Sequence, residues 1–279
     1  MKLIAESGST KTDWVIINAS DTYTFQTNGI NPLFFSELDT IQEIRNSFPK
    51  THNAENVLEI HFYGAGCGTD TAKQKISDVL KSIFTQAYIH INTDLVASAH
   101  ALLQNKKGII AILGTGMNIG FWNGTRIEYS TPSLGYILGD EGSGTYFGKK
   151  LLQAYFYETL PHHLLKEFTN TYTITRESCI HAIYSGNKPN TYIASFSPFL
   201  YTHKHEAYIQ SIIQEGFQDF IKKHILKISE KFNFFSIFVT GSIGFYFNEI
   251  LQTECAKHSI TVEQTIKSPI SELTKLYSL

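Results

Sequence analysis

Two short turns rich in glycine and small hydroxyl residues are the parts of the sequence best suited to chemistry. The first covers residues 6–13 (ESGSTKTD), and the second covers residues 113–118 (LGTGMN). Each lies between strand-like apolar runs, so each predicts a tight hairpin that exposes backbone N–H groups. Glycine and serine let the backbone approach a ligand closely, and converging amide dipoles suit phosphate oxygens. Two turns of this kind indicate one nucleotide held by two similar halves of the chain.

The strands and helices predicted around these turns occur in the same order twice along the chain. Strands are predicted over residues 2–6, 13–18, 22–26, 57–63 and 87–91, and helices from Ser36, over 71–84 and over 95–103. A second series begins with strands over 108–113, 118–122 and 126–130, and it continues with a helix over 207–228, a strand over 236–240 and a helix over 245–256. The apolar face of the 207–228 helix is predicted to be core. This plan is typical of an α/β protein that repeats its own topology.

The composition of the chain limits the kinds of molecule that it is expected to bind. The 279 residues exceed the usual size of one core, which predicts two lobes. With 23 Lys+Arg against 25 Asp+Glu, the chain lacks the basic field that would by itself recruit nucleic acid or an acidic membrane. The three widely spaced cysteines predict neither a disulfide framework nor a metal cluster, and no apolar run reaches the ~18 residues of a membrane helix. We expect a cytoplasmic protein that binds small molecules.

Five motifs, taken in order, carry a resemblance to a known family. They are the Gly/Ser/Thr/Lys hairpin, an aspartate after a strand (Asp94), the Gly-Thr-Gly hairpin, a Gly-Asp-Glu-Gly-Ser segment and a late strand followed by Gly-Ser. This order resembles the N-acetylglucosamine kinase family, which belongs to the superfamily of actin, sugar kinases and heat-shock ATPases. That family is grouped with the ATPases that activate benzoyl-CoA reductase and 2-hydroxyacyl dehydratases (the BadF/BadG/BcrA/BcrD type).

The resemblance implies a fold of two ribonuclease-H-like, actin-like ATPase lobes around a nucleotide cleft. Residues 1–105 are expected to form the N-terminal lobe, with the C-terminal helix as a candidate addition to it. Residues 106–279 are expected to form the C-terminal lobe, with helical additions. The relatives are commonly dimers, so the resemblance also implies a homodimer.

The resemblance implies ATP and Mg²⁺ as cofactors. The residues implied in nucleotide binding are Ser9, Thr10, Lys11, Gly114, Thr115, Gly116, Gly241 and Ser242. An ammonium and a hydroxyl in the first turn would neutralise charge on a transferring phosphoryl group, although an ordinary hairpin with a solvated Lys11 accounts for the same residues. Glu6 and Asp140 are implied to hold magnesium. Ser7 and Ser9 stand where many relatives carry glycine, which predicts a stiffer loop.

A further set of residues is implied in binding the acceptor sugar. Asp94 is implied as the general base that takes the proton of a sugar hydroxyl, and the implied sugar ligands are Asn31, Asp94, Asn118, Gly135 and Asp140. Simpler alternatives stay open: Asp94 as an ordinary helix N-cap, Asn31 as a turn residue, and the Asp140–Glu141 pair as a complement to a helix dipole. The segment 133–144 is too rich in glycine to predict a helix.

The expected function is ATP-dependent phosphorylation of an amino sugar, N-acetylglucosamine or glucosamine, at its 6-hydroxyl. One alternative is an ATPase that activates a partner enzyme by a conformational change, without a sugar substrate. The dehydratase activators need mid-chain cysteines for an iron–sulfur cluster, and Cys67, Cys179 and Cys255 do not reproduce that arrangement. A third hypothesis is an actin-like filament protein. The sequence leaves the identity of the acceptor sugar open.

Overall fold

The computed structural model describes residues 1–19, 21–32 and 35–278. The chain divides into two compact units. Unit 1 consists of Met1–Lys106 together with Ser268–Leu279, and unit 2 consists of Lys107–Lys267. In the part of the chain that is described, no helix combines the length and the apolar composition needed to cross a membrane.

Unit 1 contains a five-stranded mixed sheet with the strand order β3-β2-β1-β4-β5. Its elements in chain order are β1 (Lys2–Ser7), β2 (Lys11–Ile17), β3 (Thr22–Asn28), α1 (Glu37–Ser47), a 3₁₀ turn (Ala54–Asn56), β4 (Glu59–Gly64), α2 (Asp70–Ile83), β5 (Tyr88–Thr93) and α3 (Asp94–Leu102). The first three strands pair antiparallel, whereas β1, β4 and β5 pair parallel. The C-terminal helix (Ile270–Tyr277) belongs to this unit.

Unit 2 repeats this sheet. Its first elements are β6 (Gly108–Leu113), β7 (Met117–Trp122), β8 (Ile127–Ser130), α4 (Gly135–Leu138), α5 (Gly144–Phe156), α6 (His162–Thr171), α7 (Arg176–Tyr184), α8 (Pro189–Ala194) and α9 (Ser197–Thr202). They are followed by α10 (Ala207–Phe220), a π turn (Ile221–Ile225), α11 (Leu226–Phe232), β9 (Ser236–Thr240), α12 (Ser242–Tyr246), α13 (Asn248–Ala256) and β10 (Thr261–Ile266). The order β8-β7-β6-β9-β10 matches that of unit 1 strand for strand, so the predicted α/β plan with two similar halves is confirmed.

Alternating residues explain how the unit 1 sheet is covered on both faces. Leu3 and Trp14 belong to one buried cluster, while Ile4 and Val15 belong to another that includes Leu273 of the C-terminal helix. Successive strand residues point to opposite faces, so these two clusters lie on the two sides of the sheet. A sheet buried on both sides holds its strand ends in fixed positions, which is what a site at those ends requires.

Three local predictions need correction. The segment 133–144 does contain a helical turn, α4, which begins at Gly135 with a φ of +70° and closes through a Gly139 N–H to Gly135 O bond of 2.8 Å. The helix predicted over 245–256 begins earlier, at Ser242, and is interrupted at Phe247. The strand β10 was not predicted, because four of the six residues in its sequence TVEQTI are polar and it occupies a partly exposed sheet edge.

Candidate active site

Three carboxylates of unit 1 influence one another electrostatically. Glu6 near the end of β1 is the cross-strand partner of Asp13 on β2, and Asp94 follows the end of β5. Burial raises the pKa of Glu6 to about 7, and the negative charges of Asp13 and Asp94 add to this shift. Asp13 belongs to the first turn, and the sequence alone indicated no role for it. The antiparallel register opposite Glu6 is the signal that would have identified it.

Asp94 is the first residue of α3, and Thr93 is the N-cap of that helix. The Thr93 hydroxyl accepts a hydrogen bond from the Val96 N–H at 3.4 Å. The Asp94 carboxylate instead accepts one from the neighbouring Leu95 N–H at 2.8 Å. The alternative in which Asp94 is an ordinary N-cap is therefore wrong, since the residue before it fills that position.

Hydrogen bonds of the Ser7 hydroxyl stabilise the first turn. The Ser7 hydroxyl is fully buried, lies 2.8 Å from the Thr12 hydroxyl and accepts a hydrogen bond from the Ile30 N–H at 2.9 Å. The Gly29 N–H donates to Thr10 O at 3.1 Å. These bonds attach the segment before Asn31 to the turn, so both belong to one local structure in unit 1.

Lys11 and Asn31 are placed by different contacts. The Lys11 ammonium lies 2.8 Å from the Asp13 carboxylate, with its side chain about half exposed. Asn31 lies against Gly66 in the turn after β4, because a side chain added at Gly66 would collide with the Asn31 amide oxygen. Lys11 is thus paired with a member of the carboxylate group, and Asn31 contacts the turn that follows a neighbouring strand.

The Gly-Thr-Gly turn of unit 2 is fixed at its backbone. Gly114 N–H donates to Gly116 O at 3.0 Å, while Gly114 O and Thr115 O accept from the first N–H groups of α5, at 2.8 and 3.0 Å. A Cβ added at Gly114 would meet no atom within 4 Å. The turn therefore has a rigid base and an open backbone surface at Gly114.

Asp140 lies directly against this turn. It is buried, has a left-handed φ of +62°, and accepts a hydrogen bond from the Met117 N–H at 3.3 Å. A Cβ on Gly116 would stand only 3.0 Å from the Asp140 carboxylate. Burial raises the pKa of Asp140. Ser143, three residues after Asp140, is the N-cap of α5.

Glu141 forms a buried polar cluster that sequence reasoning did not assign. Its carboxylate lies 3.1 Å from His224 Nε2 and 3.2 Å from Lys223 Nζ, and Thr131 lies 2.8 Å from the other His224 nitrogen. Burial acts to raise the pKa of Glu141, but the bonds from His224 and Lys223 outweigh it and hold the pKa below its ordinary value. Together with Asp140 these side chains border a cavity of about 360 Å³ in unit 2.

The remaining predicted residues of unit 2 lie in the late Gly-Ser turn and at the start of β7. Gly241 has a φ of +108° and packs against the backbone of Leu113 and Gly114, so the late turn supports the Gly-Thr-Gly turn. Ser242 begins α12 directly after it. The Asn118 amide oxygen accepts a hydrogen bond from the Ile119 N–H at 3.0 Å. Unit 2 thus brings the second turn, Asp140 and the late turn together.

The fold has counterparts among solved structures. A protein from Porphyromonas gingivalis that carries the provisional name N-acetylglucosamine kinase matches with a TM-score of 0.92 and 31% identity, over 100% of this chain and 99% of its own. A similarly named protein from Chromobacterium violaceum matches with a TM-score of 0.73 and 13% identity, over 99% and 98% of the two chains. A ROK family glucokinase from Streptomyces griseus, solved with glucose and AMPPNP, matches with a TM-score of 0.55 and 12% identity, over 99% and 97%.

The fold, in which one five-stranded sheet order occurs twice, is shared with sugar kinases of known structure. The identity and coverage of the first match place the chain more narrowly: it belongs to the N-acetylglucosamine kinase family, a family of carbohydrate kinases. The resemblance stated from the sequence is confirmed. No protein-family model matches the chain, and no curated protein sequence matches it either.

Proposed function

We propose that this protein transfers the γ-phosphoryl group of ATP to the 6-hydroxyl of an amino sugar, N-acetylglucosamine or glucosamine, with Asp94 as the general base. The name of the Porphyromonas gingivalis protein supports N-acetylglucosamine as the amino sugar. The observation that carries the chemistry is the position of Asp94. It stands at the carboxyl end of a parallel strand, where α/β folds place reacting groups, and Thr93 fills the structural role at the helix start.

The base has to remove one proton from the acceptor hydroxyl as that oxygen attacks phosphorus. The Leu95 N–H bond fixes the orientation of the Asp94 carboxylate. An ionised Asp94 carboxylate would accept the hydroxyl proton while the new O–P bond forms and the bond to the ADP oxygen breaks. Positioning and electrostatic stabilisation then supply most of the rate enhancement.

The residues present suit magnesium. Glu6 is a partly buried carboxylate whose pKa of about 7 reflects the loss of hydration and two neighbouring negative charges, and a divalent cation would relieve that repulsion. Asp140 offers a buried carboxylate in unit 2. We assign Glu6 and Asp140 as magnesium ligands, directly or through water. When bound, the ion would neutralise charge on the terminal phosphates.

The residues present also suit ATP. Unit 1 would contribute Ser9, Thr10 and Lys11 to the phosphates, and unit 2 would contribute Gly114–Gly116, whose backbone at Gly114 is open to a ligand. Gly241 and Ser242 would contact the adenosine. For the sugar, we assign Asn31, Asn118, Gly135 and Asp140 alongside Asp94. In this proposal units 1 and 2 are the two functional lobes.

The deciding experiment is a coupled ADP-release assay with magnesium-ATP across a panel of free sugars, run beside a no-sugar control. The panel contains N-acetylglucosamine, glucosamine, N-acetylmannosamine, N-acetylmuramic acid and glucose. Turnover that depends on an amino sugar, and that yields its 6-phosphate, supports the proposal. Hydrolysis of ATP at one rate with every sugar would overturn it and favour an ATPase that acts on a partner enzyme.

A further inference from the structure

Two imidazoles and a carboxylate converge on one face of the unit 1 sheet, away from the residues assigned above. His61 on β4 and His90 on β5 are cross-strand partners, and Glu59 precedes His61 by two residues on the same face. Glu59 Oε1 lies 2.9 Å from His61 Nε2 and 3.9 Å from His90 Nε2. One ligand atom from each of the three residues lies within 4.8 Å of the other two.

The His61 ring is held in place from both sides. It stacks on His90 with ring centroids 4.7 Å apart and on Tyr277 with centroids 4.0 Å apart. Tyr277 ends the C-terminal helix, and its hydroxyl lies 2.6 Å from the Tyr63 hydroxyl. This packing aims His61 Nε2 at Glu59, so at least one ligand of the cluster is preorganised.

We propose that Glu59, His61 and His90 bind one divalent transition-metal ion of the zinc type. Imidazole nitrogens with a carboxylate oxygen form a donor set that zinc accepts and that magnesium and calcium do not favour. The ion would replace the hydrogen now shared between His61 Nε2 and Glu59. Since His90 and Glu59 are partly exposed, the ion has access from solvent and a water molecule can complete the coordination.

The surroundings of the three ligands are compatible with this ion. The Lys2 ammonium lies 3.8 Å from the second Glu59 oxygen, Oε2, and so leaves Oε1 facing the histidines. The two stacked rings must tilt toward a shared point, and the partly exposed His90 side chain has room to do so.

This ion would be structural rather than catalytic. Asp94 lies four residues beyond His90, about 13 Å along an extended strand. By joining β4 to β5, the ion would fix the edge strand that leads to Asp94. Because a ligand that binds only the folded state stabilises it, zinc is expected to raise the melting temperature of the protein.

The test is calorimetric titration of the whole protein with zinc chloride, combined with thermal unfolding with and without zinc. Wild type is expected to bind one zinc ion per chain at this site and to melt at a higher temperature with zinc. His90→Ala is expected to weaken that binding at least tenfold and to abolish the zinc-dependent shift. Glu59→Gln serves as a second variant, because it keeps the shape and removes the charge of the third ligand.

The matched control is His163→Ala. His163 pairs with Glu206 at 3.1 Å in unit 2 but has no third ligand in the described residues, so this variant is expected to bind zinc like wild type. Melting without zinc reports folding of each variant. Equal zinc affinity in wild type, His90→Ala and Glu59→Gln would overturn the proposal, as would absence of a zinc-dependent shift in wild type. Neither result would bear on sugar phosphorylation, which is measured with magnesium alone.

Discussion

Thr93 and Asp94 divide two roles at the start of α3: Thr93 caps the helix, and Asp94 faces the carboxylate group that includes Glu6. The helix cap and the proposed catalytic base can therefore be tested by separate mutations, because the Val96 N–H donates its capping bond to the Thr93 hydroxyl.

Asp94→Asn is expected to abolish sugar phosphorylation while leaving the fold and most of the nucleotide affinity intact. The amide keeps the shape of the side chain and removes the base, whose contribution is about 10²–10⁴-fold in kcat. Thr93→Ala is the control, expected to lower stability by about 1 kcal/mol through loss of the cap. Turnover, ATP titration and thermal melts separate the two effects. Unfolding of Asp94→Asn would show that the carboxylate is structural.

The raised pKa of Glu6 predicts an unusual pH dependence. A carboxyl group whose pKa rises from 4.5 to about 7 on folding binds its proton more tightly in the folded state. Its stabilising contribution is therefore present below about pH 4.5, and it is lost as the pH rises to about 7, by at most about 3 kcal/mol. In EDTA, Glu6→Gln is expected to raise the melting temperature more at pH 8 than at pH 5.

Magnesium should offset the loss of stability that the ionised Glu6 causes at high pH in the wild type. At pH 8 we expect magnesium to stabilise the wild type and to have a smaller effect on Glu6→Gln. The exposed Glu55, on the 3₁₀ turn of the same unit, provides the control variant Glu55→Gln, which should respond to pH and magnesium like the wild type. An identical magnesium response in Glu6→Gln would argue against Glu6 as a ligand.

Two glycines of unit 2 should respond differently to the same substitution. A methyl group at Gly114 meets no protein atom within 4 Å, so Gly114→Ala is expected to fold normally and to weaken ATP binding by intruding where phosphate approaches. Gly241→Ala forces a φ of +108° and a clash with the Leu113 backbone, so it is expected to lower stability by more than 1 kcal/mol. ATP titration and melting distinguish the two. Wild-type ATP affinity in Gly114→Ala would count against a phosphate at this turn.

Lys11→Ala is expected to weaken ATP binding by about tenfold or more, since a hydrogen bond from a charged group contributes about 1.5–3 kcal/mol. The exposed Lys50 of the same unit gives a charge-matched control, Lys50→Ala, in which affinity should not change. Both variants should melt like wild type, because the Lys11 side chain is about half exposed and its ion pair with Asp13 contributes little. Equal affinity in the two variants would favour the solvated lysine.

The two partners of Glu141 are expected to contribute unequally to the free energy of unfolding. His224→Ala breaks a buried pair and is expected to cost about 3 kcal/mol, because Glu141 then lacks its buried partner. Lys223→Ala removes a contact of similar length from a side chain that is 50% exposed, and is expected to cost less than about 1 kcal/mol. Chemical unfolding measures both. Equal costs would mean that the His224 bond is no stronger than a surface pair.

How much of this structure the sequence predicts depends on how far apart in the chain the contacting residues are. Most strands of each unit and the two glycine turns could be predicted, because their signals are local patterns of apolar and turn residues. The Glu141–His224 pair could not, since 83 residues separate its members and neither residue alone indicates the other as its partner. The role of Asp13 depends on strand register, and β10 carries too few apolar residues to predict a strand.

The π turn at Ile221–Ile225 indicates where this chain can vary in length. A π turn contains one residue more than the α-helical turn it replaces, and the exposed Lys222 lies within it. A chain that lacked Lys222 would close a regular α-helix and keep the apolar stripes of α10 and α11 aligned. A deletion elsewhere in either helix would rotate the following stripe by about 100°. The helix can therefore lose one residue here without a change in the core beneath it.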